Sequence, residues 1–239
     1  MHVKGRVKTR HRRRPRGSLT RDHVVDAALK LADDEGLVAL TMQSLAKRLD
    51  CGVMTIYGYV EDKEDLLNAI SQRGLRDLRL IEPVPGDVEG ILIHWGRALR
   101  LLLIEHPSLP VIFLTQAVVG TAIFRGLERL LGRLGEAGMA ASTAVHAIYA
   151  VVIYATGFVA WELPRTRLQP QSEYAADWRR GFANLPPEDF QLTAQVLGEL
   201  SRVAGEEQFE IGLRALVAGL SRARVEQRSR HRTVKGNVP

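Results

Sequence analysis

Apolar residues recur at three- and four-residue spacing along most of the chain, and no segment alternates at the two-residue spacing of a half-buried strand. Val24, Val25, Ala28, Leu29, Leu31 and Ala32 predict a first helix over residues 21–35, capped by Thr20 and ended by Gly36. Leu45, Ala46 and Leu49 predict a short helix over 42–49, with Thr41 as its N-cap. Asp50-Cys51-Gly52 breaks it, Gly52 supplying either a tight turn or the close approach of a second helix. A further short helix covers about 53–59. From Lys63 a longer one runs to about Leu80 on Leu66, Leu67, Ile70 and Leu75, and Pro83 and Pro85 mark its end.

The remainder reads as helix too. Ile91, Leu92, Trp95, Leu99, Leu102 and Leu103 predict a helix over 87–105, stopped by His106-Pro107. A broken apolar segment covers 108–117, and helices follow over about 121–134 and 140–163. Three prolines (Pro164, Pro170 and Pro186) predict a loop over 164–186, before two last helices over 187–203 and 206–224. The fold class is all-α. Met139 to Trp161 contains no Asp, Glu, Lys or Arg, long enough to span a bilayer. It also holds Ser142, Thr143, His146, Thr156 and two Tyr without a basic flank, which suits a buried core helix and argues against a membrane.

Two short helices around a three-residue turn form a helix-turn-helix pattern, whose second helix can enter a DNA major groove. That second helix carries Thr55, Tyr57 and Tyr59, hydroxyls that can donate to phosphates, between Val53, Met54 and Ile56. The stretch from Thr55 to Leu66 (Thr-x-Tyr-x-Tyr-Val-x-Asp-Lys-Glu-x-Leu) resembles the signature that closes the DNA-binding domain of tetracycline-repressor (TetR) family regulators. Thr20 to Leu29, Glu35-Gly36-Leu37 and Leu40-Thr41-Met42 extend the resemblance, which spans about Leu19 to Ile70. Gly58 departs from it, standing where a larger residue is common and weakening the helix by roughly 1 kcal/mol against Ala. Cys51 stands where Val is usual; a small buried hydrophobe is its expected role, with a redox thiol the alternative.

The resemblance implies a surface for double-stranded DNA. Gln43 stands at its edge, where an amide can bond adenine in two places. Gly52, Val53 and Met54 face base edges, where apolar groups can touch thymine methyls but cannot read donors and acceptors. Thr55, Tyr57, Tyr59 and Lys63 are the expected phosphate contacts, and Lys63 also opens the next helix. The resemblance further implies a homodimer through the last two long helices, reading a palindromic operator. It divides the chain into a DNA-binding domain over 19–66 and an effector-binding and dimerisation domain over 67–224. A basic arm over 1–18 and a basic tail over 225–239 flank these.

Charge sharpens the picture. Residues 1–21 hold nine Lys/Arg and no acid, and residues 221–239 hold six Lys/Arg and one Glu, leaving 18 basic and 26 acidic residues between them. An acidic middle behind a basic leading arm suits a protein that grips a polyanion at one end. The arm itself is too poor in apolar residues to fold alone; it is expected to be disordered when free and to add a non-specific grip on phosphates. One cysteine excludes an internal disulfide framework and fits a reducing cytoplasm, and the basic N-terminus lacks the apolar run of a signal peptide.

His94, Trp95, Phe113, Gln116, His146, Tyr149, Tyr154 and Trp161 are the candidate lining of an apolar, aromatic effector site in the second domain. No two His are spaced as metal ligands, and no cofactor is expected. No phosphate-cradling loop, nucleophile elbow or carboxylate cluster marks an enzyme. A purely architectural DNA-binder would not need an apolar body of this size. The expected function is therefore a ligand-released repressor, with a ligand-responsive activator of the same family and a helical enzyme as alternatives.

Overall fold

The structure, a computed structural model, describes residues 19–76, 78, 86–168, 170–186, 188–202 and 205–235, the side chains of 168 and 223–235 excepted. The expected basic arm lies outside the described residues. Twelve helices and no strands are present among those described.

Helices α1 (Arg21–Glu35), α2 (Met42–Arg48), α3 (Val53–Ile56) and α4 (Lys63–Arg76) form the first group. Thr20 caps α1 by accepting from the His23 amide, as its position predicts. Thr41 and Ser44 close a reciprocal capping box on α2. Val24, Ala28, Leu40, Leu45, Ile56, Leu66 and Ile70 make the fully buried centre of the group.

The turn between α2 and α3 is built differently from the expectation. The Cys51 amide donates to Ala46 O at 3.0 Å and the Asp50 amide to Lys47 O at 3.3 Å, the two bonds of a Schellman cap. Its left-handed residue is Asp50, at φ 52°. Gly52 is extended at φ −78°, and a Cβ there would meet only Thr55 Oγ1 at 3.8 Å, so Gly52 makes neither the turn nor a close approach. The helix after it is also shorter than expected. Beyond Ile56 the ladder tightens, with Gly58 N–H donating to Thr55 O and Tyr59 N–H to Ile56 O, three residues back.

Helices α5 (Val88–Glu105), α8 (Ala141–Leu168) and α12 (Glu206–Lys235) pack on one another as the body's centre. Helices α6 (Leu109–Thr115) and α7 (Thr121–Glu136) lie against α8 and also touch α4. Two glycines permit the central packing: a Cβ on Gly96 would lie 2.8 Å from Leu213 Cδ1, and one on Gly212 would lie 2.2 Å from the Tyr154 hydroxyl. Tyr154 uses that space to donate to Phe209 O at 2.9 Å. Arg97 pairs with Glu210 across α5 and α12 and, with Arg214, holds the Glu210 carboxyl below the ordinary range.

The last third departs most from the sequence pattern. Helix α8 does not stop at Pro164 but runs five residues past Leu163; the proline lacks only the N–H that would reach Ala160 O, and the Arg165 and Thr166 side chains donate to Trp161 O and Glu162 O in the same turn. The expected loop over 164–186 instead contains α9 (Gln171–Ala183), started by Pro170. The single helix expected over 187–203 is two short pieces, α10 (Gln191–Gln195) and α11 (Leu197–Leu200). Helix α12 continues through most of the expected basic tail. Helix α8 is apolar enough to cross a membrane by length and composition, yet it packs against α5, α6, α7 and α12, as a core helix does.

The Asp50 geometry is testable. Asp50→Val should lower stability by about 1–2 kcal/mol, because a branched side chain resists the left-handed region, whereas Asp50→Gly should be neutral or stabilising. Matching urea midpoints for Asp50→Val and wild type would show that the turn does not need this conformation.

Candidate nucleic-acid interface and effector body

The α2–α3 surface presents most of the residues expected to meet DNA. Gln43, Gly52, Thr55 and Lys63 are exposed, Met54 is 80% exposed and Tyr57 46%. Val53 is half-buried and packs against the core behind the turn. A large apolar side chain as open as Met54 has no packing role in this chain, and contact with a groove would remove it from water. Lys63 begins α4, where Asp62 accepts from the Asp65 amide at 2.8 Å as a cap.

Tyr59 differs from the rest. Its ring is half-buried and its hydroxyl donates to Leu19 O at 2.8 Å, while Arg21 Nε donates to Tyr59 O at 3.1 Å. Arg21 also pairs with Asp65 at 2.8 Å. Tyr59 therefore ties the end of the recognition turn to the start of α1, and its proton is already used inside the group. Cys51 is half-buried against the core, and burial, with the Asp50 charge adding to it, pushes its thiol pKa up. That opposes the thiolate a redox sensor needs and fits the apolar role.

The eight expected effector-site residues do not all face the inside of the body. Trp95 is buried, and His94, Phe113, Gln116 and Tyr154 are half-buried. His146, Tyr149 and Trp161 point outward from α8, Tyr149 being 63% exposed and Trp161 41%. Their spacing put them on one helical face, and that face turns away from the protomer's own core. Tyr154 stacks with Phe158 and Phe209, at centroid distances of 5.9 and 5.3 Å, so it is packed and hydrogen-bonded internally. A small polar cleft lies between α1 and α4, lined by Arg21, Asp22, Gln72, Arg73 and Arg76 among others, away from these aromatics.

One pair that the sequence reading missed lies in the body. Arg100 and Glu162 form a buried ion pair at 2.7 Å, with side chains 10% and 7% exposed, and the Arg100 guanidinium lies 5.2 Å over the Phe209 ring. Arg100 Nε, Glu162 Oε2 and His94 Nε2 are buried with no hydrogen-bond partner among the described residues. Removing either charge alone would strand the other, a change of about 3–5 kcal/mol. The available signal was Glu162 as the one acid of the long apolar α8 and Arg100 within the apolar stripe of α5.

Comparison with known proteins places this geometry. The tetracyclin repressor-like C-terminal domain matches residues 82–224, and the DNA-binding region described as bacterial regulatory proteins, tetR family, matches residues 24–70. The chain belongs to the tetracycline-repressor family. An HTH-type transcriptional repressor of Mycobacterium tuberculosis is 28% identical over 232 residues, covering 92% of this chain and 87% of its own. The class D tetracycline repressor protein of Escherichia coli is 28% identical, over 84% of this chain and 88% of its own. Among solved structures, the TetR family protein ActR of Streptomyces coelicolor in complex with actinorhodin superposes with a TM-score of 0.76 at 25% identity, covering 87% of this chain and 98% of its own. Like other TetR family members, this chain is a ligand-responsive DNA-binding transcriptional regulator, and its relatives support the repressor reading.

Within this TetR head, Tyr59→Phe should cost about 0.5–1.5 kcal/mol of stability by leaving Leu19 O without its donor. The measurement is a urea titration alongside DNA affinity over a range of salt. A reduced salt slope with unchanged stability would return Tyr59 to the phosphate contacts.

Proposed function

We propose that this chain is a homodimeric repressor that reads a palindromic operator and leaves it when a small hydrophobic or aromatic effector binds the body. The observation that carries the reading is the α2–α3 surface. It gathers an exposed amide at Gln43, an exposed apolar side chain at Met54, and exposed hydroxyls and a cation at Thr55, Tyr57 and Lys63 on one rigid group. Gln43 and the start of α3 meet base edges, and Thr55, Tyr57 and Lys63 meet phosphates. The head is residues 19–66 and the body 67–224, with α4 unbroken across that boundary and able to carry movement from one to the other.

The dimer is supported by an uncovered apolar strip. Tyr149, Ile153 and Trp161 on α8 and Ile211 on α12 are 63, 67, 41 and 56% exposed, on two helices that pack side by side. A second copy of the strip would cover it isologously, and two heads would then address two half-sites. The protein named ActR was solved with actinorhodin bound, which supports a small-molecule effector here. Arg100 Nε and Glu162 Oε2, buried side by side without a further partner among the described residues, would hydrogen-bond the polar groups of such a ligand. The reading needs no cofactor, gives the chain no catalytic role, and places it in the cytoplasm with its DNA.

Selection of bound DNA from a random pool at near-physiological salt tests the core of this reading. A palindrome should emerge; only sequence-indifferent binding would sink it. On the recovered site, Tyr57→Phe and Lys63→Ala should each weaken binding at all sequences alike, and Lys63→Ala should reduce the salt slope by about 1. Gln43→Ala should instead relax preference at one base pair per half-site, a discrimination of about 1–3 kcal/mol.

The interface has its own test. Ile153→Arg should shift the protein to monomer in sedimentation and lower operator affinity while leaving helicity intact. A dimer of undiminished strength would move the interface elsewhere.

A further inference from the structure

A single carboxylate joins the DNA-binding head to the elbow of the body. Asp33, in the last turn of α1, accepts through Oδ1 from the Ser108 amide at 3.1 Å and the Ser108 hydroxyl at 2.6 Å. Its Oδ2 lies 2.8 Å from His106 Nδ1. His106 closes α5 and Ser108 opens α6, which leaves α5 at 110°. Asp33 thus grips both sides of the bend. Ser108 makes no side-chain cap to its own helix, since its hydroxyl is committed to Asp33. The Asp33 and His106 side chains are each only 15% exposed, and hydrogen bonds to a shielded carboxylate belong to the strong class.

The neighbouring acids of the same turn face the other way. Asp34 and Glu35 hold Arg48 of α2, at 2.8 and 3.2 Å. The final turn of α1 therefore links the α5–α6 elbow on one side to the helix-turn-helix on the other. A separate contact reaches α4, where a Cβ on Gly74 would lie 2.6 Å from Leu109 Cδ1, so the α4 backbone rests directly on α6.

We propose that Asp33 is a latch by which the α5–α6 elbow sets the orientation of the head through α1, alongside the contact of α6 with α4. A change in the angle between α5 and α6 alters the placing of His106 relative to Ser108 and must either carry α1 with it or break part of the grip. The proposal rests on the reading of residues 19–66 as a DNA-binding head controlled by the body. Asp33 is a positioning residue and touches neither DNA nor effector.

The test uses full-length protein without DNA or effector, comparing wild type, Asp33→Ala, Asp33→Asn and Ser108→Ala by calorimetry and amide hydrogen exchange. Asp33→Ala should split unfolding into separate head and body transitions and speed exchange in residues 30–35 by about tenfold or more, the factor matching one lost charged hydrogen bond. Asp33→Asn, which can still accept from Ser108 and donate to His106, should restore wild-type behaviour. Ser108→Ala should raise exchange in the same turn by less, because its backbone donor remains. A change that lowered the melting temperature without splitting the transition or exposing α1 would mark Asp33 as ordinary packing and overturn the latch. Should Asp33→Ala fail to fold, Ser108→Ala decides alone, and wild-type exchange in α1 would dismiss the proposal. Failure to select any operator would sink the regulator reading while leaving these measurements interpretable.

Discussion

Four residues of α-helix have no independent stability in water, so α3 exists only because other elements hold it. The Schellman bonds at Asp50 and Cys51 orient it from the α2 side, and the fully buried Ile56 anchors it in the core of the head. The Tyr59 hydroxyl and the Arg21 guanidinium then tie its exit to the first residues of the head. With the inward positions occupied by these tasks, Gln43, Met54, Thr55 and Tyr57 are left on the open side. Their exposure follows from the bracing: a side chain can be presented rigidly to a partner only when the backbone beneath it is held elsewhere.

The same economy of contacts governs the link between head and body. Helix α6 is short and begins against both α1 and α4, through Asp33 with Ser108 and through Gly74 with Leu109. Neither contact is large, which suits a joint that must move. The body behind it is stiff by comparison, since Gly96 and Gly212 let α5, α8 and α12 approach to direct contact and Arg97–Glu210 and Arg100–Glu162 fasten them at two depths. A rigid body meeting a small head at a few polar and glycine contacts can convert a modest internal shift into a change of head angle.

Much of the head was legible in the sequence because its signals are local. Caps at Thr20 and Thr41, periodic apolar residues, and the Thr55-to-Leu66 pattern are each set by neighbours within a few positions, and α1 appeared with the expected bounds. Local signals failed where two residues could serve one purpose. Gly52 has the freer backbone, yet Asp50 takes the left-handed position, because the cap must fall two residues after the last helical residue of α2. Pro164 read as a stop, yet α8 continues past it, since one proline removes a single bond from an otherwise intact ladder.

By itself, the sequence determined the all-α class, the helix-turn-helix and its place near the amino terminus, and the family. Periodicity and capping depend on residues close in the chain, so no fold was needed to see them. Only the tertiary structure decided that Tyr59 is a brace and that His146, Tyr149 and Trp161 face outward. It alone paired Arg100 with Glu162 across 62 residues, and Asp33 with Ser108 across 75. Which face of a helix is the inside depends on what packs there, and two side chains far apart in sequence meet only after the helices between them have been laid down.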